Sequence, residues 1–152
     1  MKGTKTVNNE ILFAEVERII GEGGGVELRV KGGSMRPFLR DGRDSVHLAP
    51  LPASGLRRGM VVLFRYRGHH ILHRIRRIEG TRAVIEGDGN YRLREETATA
   101  DIVAWADAIE RGGKRIVFGS LHWRLLTTRS LAVKAARTLF HDLRGTYRRK
   151  DS

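Results

Sequence analysis

Ser34, His73 and Asp88 are residue types that together perform acyl transfer, and each stands at the edge of an expected strand or just after one. A serine hydroxyl is a poor nucleophile until a neighbouring base takes its proton. Histidine suits that task because it titrates near neutrality, and a carboxylate can hold its tautomer and stabilise the imidazolium. Ser34 lies in "KGGSMRPFLRDG" (31–42), behind Gly32 and Gly33 and three positions before Pro37. The glycines let a substrate chain approach closely, and amides in such a turn can point at a developing oxyanion. Each residue also has a plain structural reading. Ser34 would cap a short helix, and His73 would be a cross-strand histidine sharing a face with Ile71 and Ile75. Asp88 would be a turn residue in Gly-Asp-Gly-Asn.

Other chemistries are less well served. The absence of cysteine excludes a disulfide framework, a cysteine nucleophile and thiolate metal sites. His70 and His73, three apart on a strand, face opposite sides and make no metal pair; His47 and His69 add no ligand spacing. Neither a metal nor a cofactor is expected.

The elements that must position these residues read as mainly β, of the α+β kind, with a helix at each end. Leu12, Phe13, Val16, Ile19 and Ile20 recur at helical spacing over 9–20, with Asn8 or Asn9 as cap and Gly21 as stop. After the link "GEGGG", "VELRV" alternates as a half-buried strand does. "SVHLAPL", "MVVLFRYR", "HHILHRIRRI" and "RAVIE" follow as strands, with Arg67-Gly68 as a hairpin turn. "DIVAWADAIE" and "KRIVF" pair through "RGGK". Ala132, Ala135, Ala136, Leu139, Phe140 and Leu143 share one face of a last helix ended by Gly145. Strands without intervening helices argue against a parallel α/β fold. The expected division is 1–25 for the first helix and link, 26–120 for the β-rich domain and 121–152 for a basic amphipathic helix and tail.

A chain of 152 residues fits one domain. No apolar run reaches the roughly 18–20 residues that span a bilayer. "ILFAEVERII" is broken by Glu15, Glu17 and Arg18 and lacks the form of a secretory signal. The expectation is a cytoplasmic protein, peripheral to a membrane at most. The net charge of +12 implies an acidic partner. Between Arg111 and Lys150 eleven basic residues face Asp142 alone. Arg129, Lys134, Arg137 and Arg144 flank an apolar face carrying Leu139 and Phe140, which suits anionic lipid. Nucleic acid is less favoured, because no aromatic-interleaved motif accompanies the charge.

Four stretches in order, "GGSMRPFLRDG", "LRRGMVVLFRYR", "ILHRIRRIEG" and "IEGDGN", resemble the motif series of the type I signal peptidases and their relatives, the self-cleaving phage and SOS repressors. The resemblance covers about residues 26–118 and implies a coiled antiparallel β peptidase core. It makes Ser34 the nucleophile and places Gly33, Met35 and Pro37 on the substrate-binding side. His73 falls where bacterial enzymes have a general-base lysine. Histidine there resembles the endoplasmic-reticulum, archaeal and spore-former branch, which implies Asp88 as third catalytic member. The chain departs from the pattern in three ways. Gly32 replaces a serine that donates to the oxyanion, and Gly59-Met60 replaces Gly-Asp. The membrane helices of the peptidases and the helix-turn-helix of the repressors have no counterpart.

Two functions follow. One is a serine endopeptidase that removes a leader or signal-like segment from a precursor peptide or protein. The other is a non-catalytic module on the same scaffold, binding nucleic acid, an anionic membrane or a partner protein through its basic surface.

Overall fold

Among the described residues eight strands, numbered β1 to β8 in chain order, form one antiparallel sheet in the order β1-β2-β7-β3-β4-β5-β6, with β8 paired to β7. The computed structural model describes the backbone of residues 2–91 and 93–150 and the side chains of 10–91 and 93–145. Helix α1 spans Lys2–Gly21. The strands are β1 Val26–Arg29, β2 Asp44–Ala49, β3 Val61–Tyr66, β4 His69–Glu79, β5 Arg82–Glu86, β6 Glu95–Ala98, β7 Ile102–Arg111 and β8 Lys114–Val117, and helix α2 spans Leu121–Lys150. The sheet curls into a half-barrel with a helix at either end of the chain, the mainly β class that the sequence pattern indicates.

Sequence explains most of these elements. β3 sits between β4 and β7 and buries Val61, Val62, Leu63 and Phe64 in succession, so its apolar run has no polar alternation. Arg67 and Gly68 both adopt positive φ and join β3 to β4 in the two-residue turn that matches strand twist. Two elements differ from expectation. α1 begins before Asn8 and Asn9, and α2 begins at Leu121 and continues through Gly145. The start of α2 is marked by Ser120, whose hydroxyl accepts the Trp123 amide at 3.2 Å. β6 has no sequence signature because its inward residues are Glu95 and Thr97.

The core lies on both faces of the curled sheet. On one side Val16 and Ile20 of α1 and Trp123 of α2 join Leu48, Leu63 and Ile109. On the other side Met60, Val62, Phe64, Ile75 and Ile85 pack together. The segments at either end of the β region are therefore built into its core. Phe38, Trp123, Phe118 and Trp105 form a chain of edge-on rings with centroids 5.0 to 5.4 Å apart, connecting the Ser34 segment to α2 and β7.

The segment between β1 and β2, which carries Ser34, is tied to the sheet by Asp44. Its buried carboxylate accepts bonds from Arg43, from Arg111 and from the Arg40 amide. Arg111 also donates to the Phe38 carbonyl. Burial pushes the Asp44 carboxyl up, but the hydrogen bonds from Arg111, Arg43 and the Arg40 amide outweigh it and hold the group lowered to about 2, against an ordinary 3.8. A carboxyl depressed on folding contributes stability above its unfolded pKa and loses it as pH falls through the folded value. The contribution here is about 2 kcal/mol. Urea titrations at a series of pH values should show it intact above pH ~4 and gone by pH ~2. Asp44→Asn should lower stability at neutral pH by about 2 kcal/mol or more and flatten this acid limb.

Candidate active site

Ser34 sits in consecutive turns with no helix behind it. The Gly33 carbonyl accepts the Arg36 amide at 3.1 Å, and the Met35 carbonyl accepts the Leu39 amide at 2.9 Å. Buried Met35, Phe38 and Leu39 pull the turn onto the core, leaving Ser34 half-exposed at its crest. The Gly32 amide is taken by the Asp41 carboxylate at 2.9 Å. Ser34 lines a cavity of about 530 Å³. Its apolar walls come from Leu28 and Val30 at β1, Leu12 and Phe13 on α1, and Ile71 and Leu72 on β4. Met35 lines the same cavity. Gly33 and Pro37 flank the serine in the turn, and the Arg36-Pro37 peptide is cis.

His73 lies on β4 opposite Val62 and is almost wholly buried. Its Nδ1 is 3.1 Å from a carboxylate oxygen of Glu95 on β6. Its other ring nitrogen is directed at Gly87. A Cβ at Gly87 would lie 3.0 Å from His73 Nε2 and 2.3 Å from the Ser34 carbonyl oxygen. Only glycine admits this approach, so the imidazole and the backbone of the serine meet across that one residue. The Gly89 amide donates to the Ser34 carbonyl at 2.8 Å, fixing the loop after β5 to the serine turn. Among the described residues the Ser34 hydroxyl makes no hydrogen bond to His73. Catalytic hydrogen bonds often tighten only around substrate.

Asp88 is placed differently from the expectation that it orients His73. Its two carboxylate oxygens receive Arg74 Nε at 2.9 Å and Nη2 at 2.7 Å. The Ser130 hydroxyl of α2 adds a third bond at 2.7 Å. The carboxylate on His73 is therefore Glu95, and Asp88 belongs to a buried ion pair. Arg74 continues to the Gly59 carbonyl at 3.0 Å and stacks over the Phe38 ring at 4.5 Å. α2 braces the loop a second time, since Lys134 donates to the Gly87 carbonyl at 2.8 Å and pairs with Glu86. Sequence reading missed Glu95, Arg74 and Ser130, and it set Lys134 on the lipid-facing flank of the last helix, whereas the structure turns that lysine inward to Gly87 and Glu86. Arg74 and Asp88 do lie inside the quoted motifs, but nothing in the spacing says that they bond each other. Glu95, one of two adjacent glutamates, carries no signal until β6 is seen beside β5 and the ring of His73 beyond it.

Two further histidines, His70 and His47, serve elsewhere. His70 stacks on Phe13 of α1 with centroids 4.5 Å apart and reaches Glu17 at 2.7 Å, while Arg65 makes a two-pronged contact with the same glutamate. The Arg65 hydrogen bonds dominate and, with His70, hold the Glu17 carboxyl lowered to about 2 despite its partial burial. These contacts secure α1 as one wall of the cavity. His47 bonds Asp107 at 2.6 Å across β2 and β7. Among the described residues no cluster of three or more histidine, aspartate or glutamate side chains is arranged to hold a metal ion.

Comparison with protein-family models, curated proteins and solved structures finds no match for this chain.

Breaking a buried pair from one side leaves an uncompensated charge. Asp88→Asn should cost about 3–5 kcal/mol in chemical unfolding. Replacing both partners, Arg74→Met with Asp88→Leu, should recover most of that loss because no orphan charge remains.

Proposed function

We infer that this protein is a serine endopeptidase that cuts an extended segment of a precursor peptide or protein. The observation that carries the reading is the meeting of two groups at Gly87. One is a half-exposed serine beside an apolar cavity; the other is a buried histidine whose far nitrogen is held by Glu95. In the neutral ring, Nδ1–H donating to the Glu95 carboxylate would leave the lone pair of Nε2 on the side of the Ser34 turn. That is the tautomer a general base requires.

In this mechanism His73 Nε2 takes the Ser34 hydroxyl proton as Oγ attacks the scissile carbonyl. The tetrahedral oxyanion is received by backbone amides of the turn, since Gly32 offers no side-chain donor. Collapse expels the amine, which leaves with the proton from His73, and water attacks the acyl-Ser34 ester by the same proton path. Glu95 orients the ring and stabilises the imidazolium, while Asp88 supports the loop that carries Gly87. Among the described residues β1 pairs with β2 alone, so its other edge borders the cavity and suits an extended peptide added as a further strand. The size and apolar lining of the cavity favour an uncharged segment beside the cut.

The reading is tested by incubating the protein with candidate precursors encoded beside its gene and following products by mass spectrometry. A peptide boronate or aldehyde should add its mass at Ser34. Ser34→Ala should abolish cleavage and labelling. Glu95→Gln should lower kcat by about 10²–10⁴-fold with little change in unfolding temperature, whereas Asp88→Asn should lose stability first. Cleavage by Ser34→Ala at the wild-type rate would overturn the assignment.

A further inference from the structure

Helix α2 packs on the domain through Trp123, Leu126 and Ser130 and leaves four of its leucines on the outside. Trp123 and Ser130 are buried, and Lys134 reaches the loop after β5. On the outside Leu121, Leu125, Leu139 and Leu143 are 74%, 60%, 61% and 59% exposed, with Phe140 at 56% beside them. At about 100° per residue these leucines fall on one stripe with Ala132 and Ala136, opposite Trp123 and Ser130. The apolar face that the sequence pattern marks is thus not the one that packs on the domain. A continuous exposed stripe of this kind marks an interaction surface.

We propose that this outer face docks on an anionic phospholipid membrane, lying in the plane of the interface. Charge decides the occupant. Residues 121–150 contain eight lysines and arginines against the single acid Asp142. By helical spacing Arg124 lies with Asp142 along one flank of the stripe, and Arg129 and Arg144 lie along the other. Arg144 rests on the Phe140 ring, its guanidinium carbon 4.9 Å from the centroid, so cation and apolar anchor sit together. The positive flank extends off the helix. Arg76, Arg94 and Lys134 all converge on the Glu86 carboxylate, in a cavity of about 390 Å³ that Asp142 and the stripe residue Leu139 also line.

A leucine stripe with a basic border of Arg129 and Arg144, on a helix of strong net positive charge, is the pattern of a helix seated at the acyl boundary with arginines at the phosphates. A second copy of this chain is a poor occupant, because pairing two such faces sets one cationic helix against another. Among the described residues no helix is long and apolar enough to cross a bilayer, so α2 would rest on the membrane. The docking is independent of the proposed peptidase chemistry.

The test is co-sedimentation of the full chain with vesicles of phosphatidylcholine alone and of phosphatidylcholine mixed with phosphatidylglycerol. Wild type should bind the mixed vesicles, weakly or not at all the neutral ones, and release as salt rises. Leu121→Ser, Leu125→Ser, Leu139→Ser and Phe140→Ser combined should cut binding more than about tenfold. Arg124→Ala and Arg129→Ala should each cut it about fivefold. All these residues are exposed, so the unfolding temperature should hold; the single variant Leu125→Glu, checked by circular dichroism, guards against a folding defect in the combined one. Undiminished binding by folded stripe variants would overturn the proposal. So would a wild type that ignores mixed vesicles, including one that instead forms a dimer which the stripe variants abolish.

Discussion

The buried pair of Arg74 and Asp88 is the contact on which the arrangement of the site depends. Through Arg74 it holds β4, the Gly59 carbonyl ahead of β3 and the Phe38 ring of the serine segment. Through Asp88 it holds the loop after β5 and, by Ser130, the C-terminal helix. A guanidinium and a carboxylate stripped of water must each find every partner they can, so the groups around them have little freedom to shift. Residue 73 immediately precedes Arg74 on β4, and Gly87 immediately precedes Asp88. Fixing the ion pair therefore fixes the distance between the imidazole and the glycine that touches the serine turn.

A division of labour among the acids follows. Asp88 has its oxygens committed to Arg74 and Ser130, and its contribution is geometric. Glu95 comes from β6, and among the described residues its carboxylate is held against the ring of His73. Asp44 does for the serine turn what Asp88 does for the loop, gathering Arg43, Arg111 and the Arg40 amide at the foot of the segment. Two buried carboxylates with arginine partners thus hold the two loops, and a third faces the imidazole. The C-terminal helix is part of the same construction, since its inner face braces the loop while its outer face stays exposed.

Much of this was legible before folding. Periodicity marked β1 to β5, β7, β8 and both helices, because their residues alternate or recur as burial on one face demands. β6 was not, since a strand whose inward positions are Glu95 and Thr97 looks like loop until its partners are present. The helix of 132–143 was visible but its orientation was not. An apolar stripe normally predicts the packed face, and here Trp123 and Ser130 take that place.

For the site, sequence alone supplied part of the cast: a serine in a glycine-led turn, a histidine on a strand, and an aspartate in the loop that follows. Those choices are local, set by which backbone each residue permits and which chemistry its side chain carries. The pairings were decided only by the tertiary structure. Whether His73 would find Asp88 or Glu95 depends on side chains fourteen to twenty-two positions apart converging through antiparallel strands. Arg74 settles it, because an arginine buried on the neighbouring position must be neutralised and takes the aspartate.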